Sequence, residues 1–150
     1  METSTSPVID IGFTGTQKGM SSQQASAVAN FLGQYQRFVG HHGLCIGADE
    51  QFDGLARAAL GFDHMVIHPG AVYTTKRATV PIWPRDLMRP VLDPLIRNRT
   101  IAQECDVLLA TPKEDHMVLR SGTWSTVRYA LELAKPVFVV IPNGAVISWM

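Results

Sequence analysis

The sequence predicts an α/β fold of the Rossmann-like, doubly wound kind, with a mainly parallel sheet of about five strands and helices on both faces. Short β-branched or apolar runs alternate along the chain with stretches of helical periodicity, as in successive strand and helix units. Several runs are apolar at nearly every position, which is typical of strands covered on both faces. The 150 residues, 46% of them apolar, suffice for one core but not for two full-sized domains. We therefore expect one domain over residues 1–150, with a disordered tail at 1–7.

The first half of the chain predicts three strands alternating with two helices, over residues 8–14, 21–35, 38–46, 48–60 and 64–68. Ser21 and Ser22 offer hydroxyl groups that can cap the first helix. Asp49 and Glu50 suit the first turn of the second helix, because carboxylates interact favourably with the positive end of the helix dipole. Two complete strand and helix units and a third strand are thus predicted before the chain becomes irregular.

The second half predicts a long loop, a helical segment, a strand, a helix and a last strand, over residues 70–89, 87–105, 106–110, 121–133 and 136–141. The loop is longer than ordinary connections in compact domains, so we interpret it as a functional loop, with a ligand lid as one role it could serve. In the helical segment, Pro90 and Pro94 predict an early break or two short helices, because proline inside a helix removes a backbone hydrogen bond.

The charge balance and the absence of apolar spans exclude several classes of function. Thirteen basic and thirteen acidic side chains give a formal net charge of zero, so no broad basic field attracts a nucleic acid, and a nucleic-acid partner is not expected. No stretch of 18 apolar residues occurs, and the first residues lack the basic segment of an export signal. We therefore expect a cytoplasmic protein with no membrane partner.

The cysteines and histidines do not show the spacing of a metal or redox site. Cys45 and Cys105 lie far apart in apolar surroundings, and we expect both to be reduced core residues. The histidines in question are His41, His42, His64 and His68. They lack a third ligand at a recognisable spacing, so the sequence predicts no metal site. No cofactor is expected either.

The loop at residues 14–19 is the first candidate binding segment. The carboxyl ends of parallel strands meet at one edge of the sheet, where ligands bind around a switch in strand order. Gly15 lets the backbone approach an anion, Thr14 and Thr16 can donate hydrogen bonds from their hydroxyls, and Lys18 adds a positive charge. The alternative is that the glycines of this loop only turn the chain from strand to helix.

The segment Ser121–Thr126 is the second candidate and the strongest local signal. Ser121, Gly122, Thr123 and Thr126 lie at a predicted helix start, where unpaired amide donors and the positive dipole end favour phosphate. A simple helix cap is the alternative, but a cap needs only one hydroxyl, and this segment has several. We expect an anion, such as a phosphate group, to bind here.

Charged side chains elsewhere complete the candidate site. Arg97 and Arg99 precede the fourth strand, and a guanidinium can clamp a phosphate through two parallel hydrogen bonds; the alternative is that both side chains are solvated on a helix face. Asp49 follows the second strand and can accept hydrogen bonds from a sugar or base, with helix capping as the competing role. Glu114 lies in a polar loop after the fourth strand, which is either a catalytic loop or an ordinary turn. Glu114 and Asp49 are the two candidate catalytic carboxylates.

Four segments of the chain, residues 97–102, 106–110, 120–132 and 136–142, together carry a resemblance to a known family. They resemble the SLOG superfamily, the group of Rossmann-like domains that includes the DNA-processing protein DprA and the LOG nucleotide phosphoribohydrolases. Gly47–Asp49 and Ile11–Gly15 are similar to its standalone YspA- and YpsA-like members. The resemblance spans about residues 8–143. It implies a single SLOG-like domain that binds a nucleotide or a nucleotide-derived phosphate as a sensor or sequestering module, and it implies self-association into a homodimer or higher homo-oligomer.

One departure from the LOG pattern bears on activity. LOG hydrolases carry a PGGxGTxxE motif, and aligning its GT with Gly122–Thr123 puts Thr126 where the glutamate stands. Threonine cannot supply the carboxylate for acid–base chemistry or for a developing positive charge. Hydrolysis of a nucleoside 5′-monophosphate at its N-glycosidic bond therefore remains an alternative that depends on Glu114 or Asp49. A DprA-like role in single-stranded DNA binding is a second alternative.

Overall fold

The computed structural model describes residues 7–150, so the predicted tail lies outside the described residues except for Pro7. The strands are β1 (Ile9–Gly15), β2 (Phe38–His42), β3 (Phe62–Ile67), β4 (Leu87–Met88), β5 (Val107–Thr111), β6 (Val137–Val140) and β7 (Val146–Trp149). The helices are α1 (Ser22–Leu32), α2 (Ala48–Ala58), α3 (Pro94–Glu104) and α4 (Gly122–Glu132), and a 3₁₀ turn occupies Thr74–Lys76. The predicted Rossmann-like α/β architecture is confirmed.

All strands belong to one sheet with the order β4-β3-β2-β1-β5-β6-β7. Every neighbouring pair is parallel except β6 and β7, which are antiparallel. From β1 the chain proceeds outward through β2, β3 and β4, and then crosses back to pair β5 with the other side of β1. The crevice at the carboxyl ends of β1 and β5 is therefore the topological switch point, where open α/β sheets bind ligands.

Helices cover both faces of the sheet and form two separate cores. On one face, α1 and α2 pack against the central strands, and the ring of Phe13 stacks on that of Phe52 with 4.4 Å between centroids. On the other face, α3 and α4 bury Ile101 and Trp124 against β5 and β6. Cys45 and Cys105 are buried and unpaired, as expected from the sequence.

The sheet extends beyond the five predicted strands at both edges. β4 is a two-residue strand that pairs with the end of β3, and β7 returns antiparallel along β6. The side chains of β7 are mostly exposed, so its sequence lacks the buried apolar pattern that predicted the other strands. Both additions lie at sheet edges, where pairing depends on a neighbouring strand more than on local sequence.

Two predicted segments differ from the structure in detail. α3 is one helix that starts at Pro94, with the carboxylate of Asp93 accepting a hydrogen bond from the Leu95 amide, so the early break is observed and the alternative of two short helices is wrong. Proline is tolerated there because the N–H of the first helical residue has no acceptor within the helix, so its absence breaks no hydrogen bond. β2 ends at His42, before the predicted end at residue 46, because Leu44 turns the chain with a positive φ of 58°.

The long loop between β3 and α3 is anchored along its second half. Asp86 accepts hydrogen bonds from the Met65 and Trp83 amides and pairs with Arg57 of α2 at 2.8 Å. The indole of Trp83 packs edge-on against Phe62, so it lies against the fold at this end of the loop. None of the helices within residues 7–150 has the length and apolarity that crossing a bilayer requires.

Candidate functional site

A cleft of about 370 Å³ lies at the carboxyl edge of the sheet, at the switch point between β1 and β5. Its walls come from residues 13–18, Gly43, Cys45, Asp49, Arg97, Asn98, Ile101, Lys113, Glu114 and residues 120–123. The fold thus brings together nearly all of the predicted site residues, which come from five separate segments of the chain. Arg99 and Thr126 are the two that do not line this cleft.

The start of α4 forms one wall of the cleft. Ser121 is the N-cap, and its hydroxyl accepts a hydrogen bond from the Trp124 amide at 3.2 Å. The N–H groups of Gly122 and Thr123 lie in the first turn of α4, where no carbonyl of the same helix is placed to accept from them. Helix geometry therefore leaves both without an intrahelical partner. Ser121 therefore acts as a cap, as the simpler alternative requires, and the same helix start still offers two amide donors to a ligand.

The loop after β1 forms the facing wall and is organised by Thr16. The Thr16 hydroxyl accepts a hydrogen bond from the Lys18 amide, and the Thr16 carbonyl accepts one from the Ala48 amide of α2. A Cβ on Gly15 would lie 2.5 Å from both Ala48 Cβ and Thr111 Oγ1, so glycine is required here for close packing. The alternative that Gly15 serves geometry therefore has direct support, and Gly15 also lines the cleft together with Thr14, Thr16 and Lys18.

Arg97 forms the floor of the cleft and is largely saturated by the protein. One terminal nitrogen donates to the carbonyls of Gly43 at 2.5 Å and His68 at 3.2 Å, and Nε donates to Asn98 Oδ1 at 2.8 Å. The side chain is buried, and it holds the ends of β2 and β3 together from α3. Arg97 thus contributes a positive charge beneath the cleft, and most of its hydrogen-bonding capacity is already used.

Asp49 is buried beside Arg97 and braces the loop between β2 and α2. Its Oδ2 accepts hydrogen bonds from the Gly43 amide at 3.1 Å and the Cys45 amide at 3.2 Å. Burial raises the pKa of the Asp49 carboxyl, and the neighbouring His42 and Arg97 side chains act against that rise. The helix cap itself is Gly47, which makes no side-chain hydrogen bond, so Asp49 stabilises the preceding loop and does not cap α2.

Glu114 is the second carboxylate of the cleft. Its Oε1 accepts a hydrogen bond from the indole Nε1 of Trp124 at 3.1 Å, which fixes the carboxylate beside the start of α4. Trp124 is buried in the core and is not available to stack on a base. The neighbouring residues Asp115 and His116 form an exposed pair and do not line the cleft.

Arg99 and Thr126 lie in a separate groove between α3 and α4. The guanidinium of Arg99 is 5.3 Å from the ring centre of Tyr129, and the hydroxyl of Thr126 donates to the Gly122 carbonyl at 2.8 Å. Residues two apart on a helix point about 200° apart, so Arg97 and Arg99 cannot face the same site. The structure therefore does not bring Arg99 and Thr126, two of the predicted ligands, to the cleft.

The cleft also contains residues that sequence reasoning did not select. Asn98, Lys113 and Arg120 line it, and both Lys113 and Arg120 are exposed at its rim. Each is adjacent to a predicted residue, Arg97, Glu114 or Ser121, so proximity along the chain was the available signal. With Lys18, these side chains make the rim positively charged, although the whole chain is neutral.

At Gly47, beside the cleft, the backbone conformation itself requires glycine. Its φ of 85° and ψ of −123° suit only glycine, and a Cβ would clash with the Gln17 carbonyl oxygen. We expect Gly47→Ala to lower the free energy of unfolding by about 2 to 3 kcal/mol, as measured by urea denaturation. Gly54→Ala within α2 is the matched control, because its Cβ meets no atom within 4 Å and should raise stability by about 0.5 to 1 kcal/mol. Equal losses for both variants would contradict this account.

The histidines are arranged differently from the sequence prediction, which found no third ligand beside them. His41 Nδ1 and His68 Nε2 are 2.9 Å apart, and Glu104 Oε1 lies 3.8 Å and 3.7 Å from them. Glu104 is distant in sequence and reaches the histidines only because α3 ends above β2 and β3. Burial lowers the pKa of both imidazoles, that of His68 to about 3, and the positive charge of Arg89 adds to the effect on both.

The fold and the cleft together define a Rossmann-like domain with a crevice at the switch point of its sheet. Four solved proteins are similar to this chain in fold, all at low sequence identity. A molybdenum cofactor binding protein from the phototrophic bacterium Rippkaea orientalis aligns with a TM-score of 0.59 and 21% identity, over 91% of this chain and 77% of its own. TM1055, a structural-genomics target, aligns with a TM-score of 0.58 and 17% identity, over 86% and 72% of the two chains.

DprA from Streptococcus pneumoniae aligns with a TM-score of 0.61 and 20% identity over 88% of this chain, which spans only half of the DprA chain. At these identities the likeness establishes the fold. No protein-family model and no curated protein matches the sequence. The DprA of Helicobacter pylori, another similar structure, is described as binding single-stranded DNA, so the expectation of no nucleic-acid partner has no support from the comparison.

Proposed function

We propose that this protein binds a nucleotide or a nucleotide-derived phosphate ligand in the cleft, as a cytoplasmic sensor or sequestering module. The observation that carries the proposal is the start of α4, where the Gly122 and Thr123 amides open onto a cleft with a cationic rim. Amide donors at a helix start and nearby positive charges are the features that bind phosphate groups. The size of the cleft, about 370 Å³, is within the range of small-molecule sites.

The two walls of the cleft suggest how the ligand is oriented. In the proposed complex a phosphate lies on the Gly122 and Thr123 amides, with Lys18 and Arg120 neutralising its charge from the rim. Asn98 and Asp49 lie deeper in the cleft and offer polar groups to a sugar or base. Arg97 favours the anion by its charge, and its own bonds to backbone carbonyls keep it in place.

Gly122→Pro tests the helix-start donor without removing the helix cap. Proline removes one N–H at the first helical position, where it is well tolerated, and Ser121 already has the extended conformation that precedes proline. We expect the affinity for nucleoside monophosphates, measured by isothermal titration calorimetry, to fall about 10- to 100-fold, because a hydrogen bond to a charged group contributes about 1.5 to 3 kcal/mol. Binding of the molybdenum cofactor should fall likewise if that is the ligand.

Gly122→Ala is the matched control for this experiment. It adds a side chain but keeps the N–H, and the added Cβ would have only Asn98 Nδ2 near it, at 4.0 Å. We expect its affinity to stay within about threefold of the unchanged protein, since no donor is lost. A folded Gly122→Pro variant that binds with unchanged affinity would place the anion elsewhere and overturn the proposal.

Hydrolysis of a nucleoside monophosphate is the second candidate, because Glu114 holds a carboxylate at the edge of the same cleft. The helix position that carries the LOG glutamate holds Thr126, whose hydroxyl bonds to Gly122 within α4. Release of free base, followed by chromatography and abolished in Glu114→Gln, would establish the enzyme. A DprA-like role would instead show affinity for a labelled oligonucleotide that falls steeply with salt.

Self-association is part of the proposal and has support from the surface of the described residues. Val91, Leu95 and Ile96 lie before and in the first turn of α3, and each is more than half exposed. Exposed apolar side chains that cluster on one surface commonly mark a protein interface. We propose that this surface joins two copies of the chain.

A further inference from the structure

A buried polar cluster lies on the face of the sheet that α3 covers, and the proposed ligand site does not use it. It consists of His41 on β2, His68 after β3 and Glu104, the last residue of α3. We infer that these three side chains form a binding site for a divalent transition-metal ion, of the class that Zn²⁺ represents, with His41 Nδ1, His68 Nε2 and Glu104 Oε1 as ligands.

The distances between the three ligand atoms fit such an ion. The separations of 2.9, 3.7 and 3.8 Å place the three atoms on a circle with a radius of about 2.0 Å, which matches the usual zinc distances to nitrogen and carboxylate oxygen. An ion slightly above the plane of the three atoms keeps these distances and gains a fourth position open to water. The site therefore needs no rearrangement of the backbone.

The donor set selects the class of ion. Two imidazole nitrogens and one carboxylate oxygen suit Zn²⁺ and its neighbours among the divalent transition metals, whereas Ca²⁺ and Mg²⁺ prefer oxygen ligands alone. His41 and His68 are buried and hold their rings in fixed positions, so little side-chain entropy remains to be lost on binding. Glu104 is about one third exposed, which leaves a path from solvent to the ligand atoms.

Neighbouring charged groups orient two of the three ligands. Asp10 Oδ1 lies 2.8 Å from His41 Nε2 and accepts a hydrogen bond from it, so the lone pair of Nδ1 faces His68 and Glu104. Arg89 donates to Glu104 Oε1 at 3.0 Å and holds the carboxylate above the histidines. A carboxylate that orients a ligand histidine is the usual arrangement around protein-bound zinc.

The hydrogen bond between the two rings must be exchanged for the metal. Since His41 Nε2 donates its N–H to the Asp10 carboxylate, Nδ1 of the neutral His41 ring accepts, and the hydrogen between the rings is carried by His68 Nε2. His68 must release that proton to coordinate, and the neutral ring then carries its proton on Nδ1. Nδ1 is buried and has no hydrogen-bond partner among the described residues, so it is free to take the proton.

Zinc titration of the full chain, first freed of metal by a chelator, tests the inference. We expect one equivalent of Zn²⁺ to bind in calorimetry, and His41→Gln and His68→Gln to lower the affinity at least about 100-fold, since each removes a ligand. Asp10→Asn should lower it about 10- to 100-fold through the orientation of His41. His116→Gln is the matched control, because that exposed histidine also pairs with an aspartate but lies outside the cluster.

Two results would overturn the inference. One is the absence of a saturable equivalent of Zn²⁺ in the full chain, which would leave the two imidazoles as a hydrogen-bonded pair. The other is unchanged zinc affinity in His68→Gln with circular dichroism showing a folded protein. If the histidine variants do not fold, Glu104→Gln decides the question, because its partly exposed side chain is not needed for the core and its loss as a ligand should lower zinc affinity at least about tenfold.

Discussion

Arg97→Ala is expected to lower the free energy of unfolding by about 3 to 5 kcal/mol, since it removes a buried charge whose partners stay behind. The Gly43 and His68 carbonyls would lose their donor, and buried Asp49 would lose a positive charge that favours its ionised form. An unsatisfied buried acceptor costs about 1 to 3 kcal/mol, which accounts for most of the effect. Urea denaturation followed by circular dichroism measures it directly.

Arg99→Ala is the matched control for this prediction. It removes an arginine from the same helix, but this side chain is exposed, and its guanidinium lies 5.3 Å from the centre of the Tyr129 ring. A contact of this kind contributes about 0.5 to 1 kcal/mol at an exposed site. If Arg97→Ala unfolds completely, Arg97→Lys should show an intermediate loss, because an ammonium cannot reproduce the planar fork. Similar stabilities for Arg97→Ala and Arg99→Ala would show that Arg97 does not join the strand ends.

The second large effect is expected at Arg57, which joins α2 to the long loop. Its guanidinium pairs with Asp53 at 2.7 Å and Asp86 at 2.8 Å, and all three side chains are almost fully buried. Arg57→Met keeps the apolar volume but leaves two buried carboxylates without their cation. We expect the free energy of unfolding at pH 7 to fall by about 3 to 5 kcal/mol.

The pH dependence of the same variant provides an independent check. Burial acts to raise the pKa of Asp53, but hydrogen bonds from His42 and Arg57 outweigh it and hold the pKa below its usual value. The pKa of Asp86 is lowered in the same way, against burial, by Arg57 and two backbone amides. Both carboxylates therefore stabilise the unchanged protein above about pH 4, and that contribution is lost as the pH falls through their lowered pKa values.

In Arg57→Met we expect the contribution of these two carboxylates to stability to change with pH in the opposite direction. Burial without the guanidinium favours the protonated carboxyls, so acidification relieves the penalty and the difference between the two proteins should narrow from pH 7 to pH 4. Urea denaturation at both pH values measures the difference. Arg85→Met is the control, because Arg85 pairs with Asp63 at 2.6 Å but is 69% exposed, and its loss should cost at most about 1 kcal/mol. A constant difference across this pH range would contradict the assigned roles of Asp53 and Asp86.

The zinc inference and the ligand proposal are independent of each other. The phosphate site depends on free amides at the start of α4. The metal site depends on His41, His68 and Glu104, which lie at the C-terminal end of α3. Gly122→Pro should leave zinc binding unchanged, and Asp10→Asn should leave phosphate binding unchanged. Failure of one experiment therefore does not decide the other.

Much of the fold and of the cleft was predictable from the sequence because both depend on local patterns. Alternating apolar runs and helical periodicities placed β1, β2, β3, β5 and β6, and the ends of parallel strands necessarily meet at one edge. For this reason Thr16, Ser121 and Glu114 could be expected in one cleft although they are far apart in the chain. The edge strands β4 and β7 escaped prediction, because their pairing depends on neighbours that supply the hydrogen bonds.

The tertiary structure alone decided what each charged side chain does. Arg97 and Arg99 have the same chemistry, but the rotation of α3 turns one into the core and the other toward Tyr129. His41 and His68 showed no third ligand in the sequence, and only the packing of α3 brings Glu104 to them. The sequence by itself determined which segments form strands, helices and loops, since those depend on neighbours along the chain. Contacts between distant residues depend on how helices pack on the sheet, so only the folded protein decides them.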